Sequence, residues 1–305
     1  MDVPTDISEF RYLPAQAEAI GVRPPAAERI GFTLSGGRTL SALRFGDGDP
    51  RVVLLHGAGL NAHTWDTTIL RLGVPALAID LAGHGDSSWR DDVDYSARTL
   101  AADIAEALPH WSHAPVVLVG QSLGGLTAAA LASAHPELVR DVIVVDITPG
   151  IDASGPAALR EFFRVSDFAD RDELVERALA FGLGGSREDT ERGVFFNSRI
   201  REDGRVEWKH HFAHLAARVF AEPQGGSAAP GAVLSTDGWD DLAGVSAPLT
   251  LVRATRGYVT SADADDYRRR LPRADLVEID ATHNVQETAP DVLADLIRSR
   301  VNDGM

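Results

Sequence analysis

Val116-Val117-Leu118-Val119-Gly120-Gln121-Ser122-Leu123-Gly124-Gly125 is the stretch that decides how this chain reads. Four consecutive β-branched or Leu residues fit a strand buried on both faces of a parallel sheet. The Ala-rich run from Leu123 to Ala134 fits a helix that stops at His135-Pro136. Between them, Gly120-Gln121-Ser122-Leu123-Gly124 is a GxSxG pattern set between strand and helix. The glycines two before and two after the serine let strand and helix approach closely, so a sharp turn pushes the Ser122 hydroxyl into the open. Ser122 is therefore a candidate nucleophile.

The same rhythm extends outward. Val52 to Leu55, Ala76 to Ile79 and Val142 to Val145 are further continuous apolar runs, and Leu100, Ile104 and Leu108 recur at helical spacing within Ala97 to Leu108. Upstream, Ile30 to Leu34 and Thr39 to Phe45 flank Ser35-Gly36-Gly37 and predict a β-hairpin. Residues 1–27, ending in Pro24-Pro25, lack periodicity and read as an extension. After Pro149 the alternation stops. Amphipathic stretches (Leu159 to Phe163, Glu173 to Phe181, Phe212 to Phe220) lead to a Gly/Ser/Ala/Pro linker, Gln224 to Gly231. The rhythm resumes with a strand at Leu249 to Val252, a helix near Ala262 to Arg270, a strand at Leu276 to Ile279 and a helix from about Pro290 to Arg300. The expectation is an α/β fold: a mostly parallel, doubly wound sheet with an N-terminal β-hairpin and an inserted helical cap. Its expected parts are an extension at 1–27, a core at 28–148 and 236–305, and the cap at 149–235.

Composition narrows the chemistry. The 305 residues include no Cys, and Lys209 is the one lysine among 29 Lys+Arg. Cysteine nucleophiles, Cys-ligated zinc and iron–sulfur clusters are excluded, and His210 after Lys209 excludes a GKS/GKT phosphate loop. Hydroxyl, carboxylate and His chemistry remain. The formal charge of −16, from 29 basic and 45 acidic residues, argues against nucleic acid and anionic membranes as partners. The N-terminal stretch has no basic-then-apolar export pattern, and no window holds the roughly 18 apolar residues of a membrane span. The expected location is cytoplasmic.

A second glycine-rich turn competes for attention. Gly57-Ala58-Gly59-Leu60-Asn61-Ala62, with Asp80 at the end of the next strand, satisfies the GxGxxG/A dinucleotide fingerprint. Against a nucleotide stand the bulk of His56 in the turn and the fifty residues and hairpin that precede it. No cofactor is expected.

A serine hydroxyl needs a base, and the base needs an orienting group. His283, four residues past the Leu276 to Ile279 run, is the candidate base. His56, His84, His110, His113, His135 and His63 sit in turns, at helix ends or in loops. His210 and His214 have the i, i+4 spacing of a metal pair, but no third ligand accompanies them, so no metal is expected. The acid candidate is Asp146, which ends the strand beside the nucleophile strand. Asp263, Asp265 and Asp266 are its alternatives, although they suit the opening turn of a helix.

His56-Gly57-Ala58-Gly59, Asp80-Leu81-Ala82-Gly83-His84-Gly85-Asp86-Ser87, Gly120 to Gly125, Val145-Asp146-Ile147-Thr148-Pro149 and Thr282-His283-Asn284-Val285 resemble, in that order, the α/β-hydrolase superfamily. The resemblance covers about residues 30–300. It implies Ser122 as nucleophile, His283 as base, and the backbone N–H groups of Ala58 and Leu123 as the oxyanion hole. The Val-Asp-Ile-Thr-Pro string resembles the esterase branch whose acid follows the strand after the nucleophile, which favours Asp146. Two residues depart from the family pattern. Gly257-Tyr258 replaces the acid of the commoner branch, and Thr282 stands where Gly usually precedes the histidine.

The expected activity is serine hydrolysis of a carboxylic ester or related acyl bond in a small, largely apolar molecule. C–C bond hydrolysis or lactone opening on the same fold is the alternative, and a ligand-binding receptor with little turnover a further one. Phe162, Phe163, Trp208, Phe212 and Trp239 are candidates to line an apolar pocket, with packing inside the cap as their other reading. Arg160, Arg164 and Arg199 divide between pairing a substrate carboxylate and a solvated helix face. Oligomeric state is not legible.

Overall fold

The computed structural model describes residues 8–151, 162, 165–181, 185–215 and 238–302. Its strands are β1 (Ala27–Thr33), β2 (Thr39–Phe45), β3 (Val52–Leu55), β4 (Ala76–Asp80), β5 (Val116–Gln121), β6 (Val139–Val145), β7 (Asp167–Phe168), β8 (Ser198–Ile200), β9 (Val206–Trp208), β10 (Leu249–Arg256) and β11 (Asp275–Thr282). Eight form one sheet in the order β1-β2-β4-β3-β5-β6-β10-β11. The first two pairings are antiparallel and the rest parallel.

The continuous apolar runs are explained by where their side chains go. Val53 and Leu55 of β3 face one core with Leu118 of β5 and Val144 of β6, while Val52 and Leu54 face the other with Val117, Val119 and Val145. Helices α3 (Ala97–Trp111), α4 (Leu123–Ala134) and α7 (Gly238–Gly244) cover the first face. Helices α1 (Leu13–Ala19), α2 (Asp66–Leu72) and α10 (Pro290–Asn302) cover the second. Each fully buried Val, Leu or Ile contributes about 1.5–3 kcal/mol, which makes this two-sided burial the main stabilising term. Helices α8 (Ser261–Arg270) and α9 (Val285–Thr288) flank β11.

Two expectations change. The N-terminal residues do not trail as an extension from Ser8 onward: Leu13 and Ala17 enter the second core, and Glu9 accepts hydrogen bonds from Arg29 Nε (2.8 Å) and His63 Nε2 (3.1 Å). The insertion is also not purely helical. Helices α5 (Arg171–Ala180) and α6 (Arg187–Asn197) pack with a small antiparallel sheet, order β7-β9-β8, around Phe162, Phe168, Val194, Val206 and Trp208. The Gln224 to Gly231 stretch lies outside the described residues. Among the described residues no helix is long and apolar enough to cross a membrane.

His63 gives the fold a pH signature. Burial opposes its charge, but Asp66 Oδ2 at 3.0 Å from Nδ1 and Glu9 Oε2 at 3.1 Å from Nε2 outweigh burial and the nearby Arg29, raising its pKa to about 9. The folded value lies above the unfolded one near 6.5, so this stabilisation is fully present below about pH 6.5 and is lost as pH rises through 9. Chemical denaturation across that window should show a loss of about 3 kcal/mol or less. The slope should be absent in His63→Gln.

Candidate active site

The C-terminal ends of β3, β5, β6 and β11 lie along one edge of the sheet and carry, respectively, His56-Gly57, Ser122, Asp146 and His283. In open parallel sheets this is the edge where ligands bind. Ser122 occupies φ 53°, ψ −120°, a conformation costly for a residue with a Cβ. It is held there by Ser122 N–H donating to Val145 O (3.0 Å) and by Gly125 N–H (2.8 Å) and Leu126 N–H (3.2 Å) donating to Ser122 O. The flanking glycines are steric requirements. A Cβ on Gly120 would come within 3.0 Å of the Gly124 backbone, and one on Gly124 within 3.0 Å of the carbonyl oxygens of Leu55 and His56. Because those neighbours are backbone atoms, Gly124→Ala should destabilise the fold by about 3 kcal/mol in a denaturant titration.

Asp146 follows β6 at φ 50° and is fully buried. Its Oδ1 accepts from Ala254 N–H (3.0 Å), and its Oδ2 accepts from Tyr258 N–H (2.7 Å) and His283 Nδ1–H (2.8 Å). With Nδ1 donating, a neutral His283 keeps its lone pair on Nε2. The departure at Gly257-Tyr258 now has a physical reason. A Cβ on Gly257 would overlap the Asp146 carboxylate. Tyr258, 44% exposed, stacks its ring on His283 with centroids 3.7 Å apart at 17°. Burial, and then the Asp146 charge, push the Tyr258 phenol pKa up. β11 runs three residues beyond the apolar run that marks it in the sequence, so His283 directly follows the strand, and Thr282 is its last residue without needing a left-handed backbone.

The His283 loop lies against the serine turn. Gln121, 1% exposed, donates from Nε2 to His283 O (3.2 Å) and to Asn284 Oδ1 (3.4 Å). On the other side, a Cβ on Gly57 would overlap Gln121 Oε1 and lie 3.2 Å from Ser122 Cβ, so the Gly57 turn abuts the same residues. That turn is braced from below: Asp80 Oδ1 accepts from Ala62 N–H (2.8 Å) and Asp80 Oδ2 from Asp86 N–H (3.1 Å). Among the described residues, neither Ala58 N–H nor Leu123 N–H donates to a protein acceptor. Leu123 opens α4, where the first N–H groups have no intrahelical partner.

Phe162 and Trp208 are 3% and 4% exposed within the cap core. Phe212 and Trp239 are half-buried against the first core, and Phe163, Arg160 and Arg164 lie outside the described residues. Arg199 pairs with Glu207 (2.6 Å) and covers the Trp89 ring. Asp263 completes a capping box with Thr260 at the start of α8, and Asp265 and Asp266 pair with Arg268, Arg269 and Arg270. These three acids serve helix α8, not His283. His210 packs between Trp208 and His84, where burial drives its pKa down to about 3, and His214 Nε2–H donates to Trp208 O (3.1 Å). Among the described residues no group of three His, Cys, Asp or Glu is placed to hold a metal. Gln121 and Tyr258 are the residues the sequence reading missed. The one available signal was an amide at the end of a strand buried throughout, which demands buried partners.

Residues 52–296 match the model of the Alpha/beta hydrolase family. The chain belongs to that family. This alpha/beta hydrolase is 36% identical to esterase Rv0045c of Mycobacterium tuberculosis over 96% of each chain. It is 31% identical to the pimeloyl-[acyl-carrier protein] methyl ester esterase of Aeromonas salmonicida, over 85% of its own length and 98% of that protein's. A solved structure of the M. tuberculosis esterase superposes on the alpha/beta hydrolase described here with a TM-score of 0.79 at 34% identity, covering 97% of this chain and 99% of that one.

Proposed function

We propose that this ester-cleaving hydrolase works through an acyl-enzyme formed on Ser122, with His283 as general base and Asp146 as the group that orients it. The observation that carries the reading is the 2.8 Å contact between His283 Nδ1 and Asp146 Oδ2, on a loop tied by Gln121 to the serine turn. Ser122 Oγ attacks the ester carbonyl carbon while His283 Nε2 takes its proton. Charge then collects on the former carbonyl oxygen and is received by the Ala58 and Leu123 N–H groups, a reading supported by their lack of a protein acceptor among the described residues. His283 returns the proton to the leaving alcohol as the C–O bond breaks. Water repeats the cycle on the acyl-enzyme, releasing the acid and restoring Ser122. Asp146 holds the imidazole in the tautomer that presents Nε2 and stabilises the imidazolium.

The substrate we infer is a carboxylic ester of a small, largely apolar molecule, in keeping with the relatives named as esterases. The test is rapid mixing with p-nitrophenyl acetate and butyrate, alongside lactone and β-diketone panels. A burst of nitrophenol equal to the enzyme concentration, followed by slower turnover, supports the acyl-enzyme. Turnover of the β-diketones or lactones with no ester cleavage would replace the reading with its alternatives, and tight binding without turnover would replace it with a receptor.

A further inference from the structure

His56 is spent on no step of the proposed reaction, yet it is fully buried and both ring nitrogens are committed. Leu81 N–H donates to His56 Nε2 at 3.0 Å. Since Nε2 is the acceptor, the ring proton sits on Nδ1, and Nδ1–H donates to Gly57 O at 2.8 Å. The imidazole stays neutral because burial opposes its charging more strongly than Asp80 favours it. The His84 ring packs 5.0 Å away, itself held neutral by burial and by His56 and His210.

The carbonyl that His56 grips belongs to the same peptide unit as Ala58 N–H. A trans peptide is planar, with its C=O and N–H pointing in opposite directions, so fixing Gly57 O fixes the direction of Ala58 N–H. Leu60 N–H also reaches Gly57 O, at 3.2 Å, so two donors pull on that oxygen. Hydrogen bonds in series polarise one another, which makes the far N–H a better donor. The turn abuts Ser122 through the bare face of Gly57.

We propose that His56 is a positioning residue for the oxyanion hole, acting through a relay from Leu81 N–H through its imidazole and the Gly57–Ala58 peptide to the substrate oxyanion. The relay rests on the acyl-enzyme reading above. It makes an ordered prediction, because asparagine places its amide near Nδ1 and keeps a donor for Gly57 O. Glutamine reaches the Nε2 position and keeps only the acceptor for Leu81 N–H.

The test compares kcat, KM and the inhibition constant of a trifluoromethyl ketone for native protein, His56→Asn and His56→Gln. His56→Asn should retain kcat within about tenfold. His56→Gln should lose about 10^2 in kcat with KM little changed, and its ketone affinity should weaken by the same factor, because the ketone adduct carries the oxyanion. Glutamine performing as well as asparagine, or ketone affinity unchanged while kcat falls, would show a bracing role for His56 and overturn the relay. Nitrogen NMR of histidine-labelled native protein needs no variant. His56 should stay neutral, protonated on Nδ1, from about pH 5.5 to 8.5, and a ring that titrates there or carries its proton on Nε2 contradicts the relay. If Ser122→Ala instead retains native turnover, the acyl-enzyme reading is what fails, and the NMR result still judges the ring geometry on its own.

Discussion

Ser122→Ala and His283→Ala should each lower kcat for a p-nitrophenyl ester by on the order of 10^6, and the double variant should lose little more. The losses do not add because nucleophile and base act as one unit: without His283 the serine hydroxyl keeps its proton, and without Ser122 the base has no nucleophile to activate. Residual activity should remain above the water rate, supplied by Ala58 and Leu123 N–H and by substrate binding. Neither side chain is part of the sheet cores, so Ser122→Ala should keep its unfolding midpoint near native, whereas His283→Ala leaves the buried Asp146 carboxylate one donor short and should lower stability by about 1–3 kcal/mol. Two losses that sum on a logarithmic scale would mean that the residues act in separate steps.

Asp146→Asn should cost about 10^3 to 10^4 in kcat. The arrangement around the carboxylate explains why an isosteric change is so damaging. Asp146 accepts three hydrogen bonds from Ala254 N–H, Tyr258 N–H and His283 Nδ1–H, and donates none from its side chain. An asparagine must turn its NH2 toward either Ala254 N–H or Tyr258 N–H, so one buried donor loses its acceptor whichever way the amide points. That should also lower stability by about 1–3 kcal/mol. In both orientations the negative charge that stabilises the imidazolium is gone. Asp263→Asn, which touches only the cap of α8, should leave kcat within about twofold. The opposite ranking of these two variants would move the orienting role to Asp263.

The parts of the fold that were legible from sequence are those whose stability is local in pattern. β3 and β5 read correctly because every position in them is buried, leaving an unbroken apolar signature. β11 is an edge strand with Glu278 and Asp280 exposed, so its last residues carry no such signature. The cap strands are two or three residues long, too short for any period to register. Helix α1 is seven residues long and stands by tertiary contacts, through Leu13 and Ala17, while the Glu9 ion pairs hold the turn that precedes it.

At the site the same division holds. Ser122, Asp146 and His283 were singled out from their positions after strands, which a motif records, and the structure brings the last two within hydrogen-bond distance. The tether from Gln121 to His283 spans 162 residues, and the stack of Tyr258 on His283 depends on the loop after β10 passing over Asp146. Those contacts arise only when β5, β6, β10 and β11 lie in that order in one sheet, and no local pattern encodes them.

The central claim is that Ser122 is a nucleophile activated by His283. Reaction of the folded protein with a fluorophosphonate, followed by peptide mapping, tests it most directly. The expected result is one adduct, on Ser122, absent in Ser122→Ala and formed at least 10^2-fold more slowly in His283→Ala, on the order of a general base's contribution. A folded native protein that takes no label, or takes it on another residue, would contradict the account.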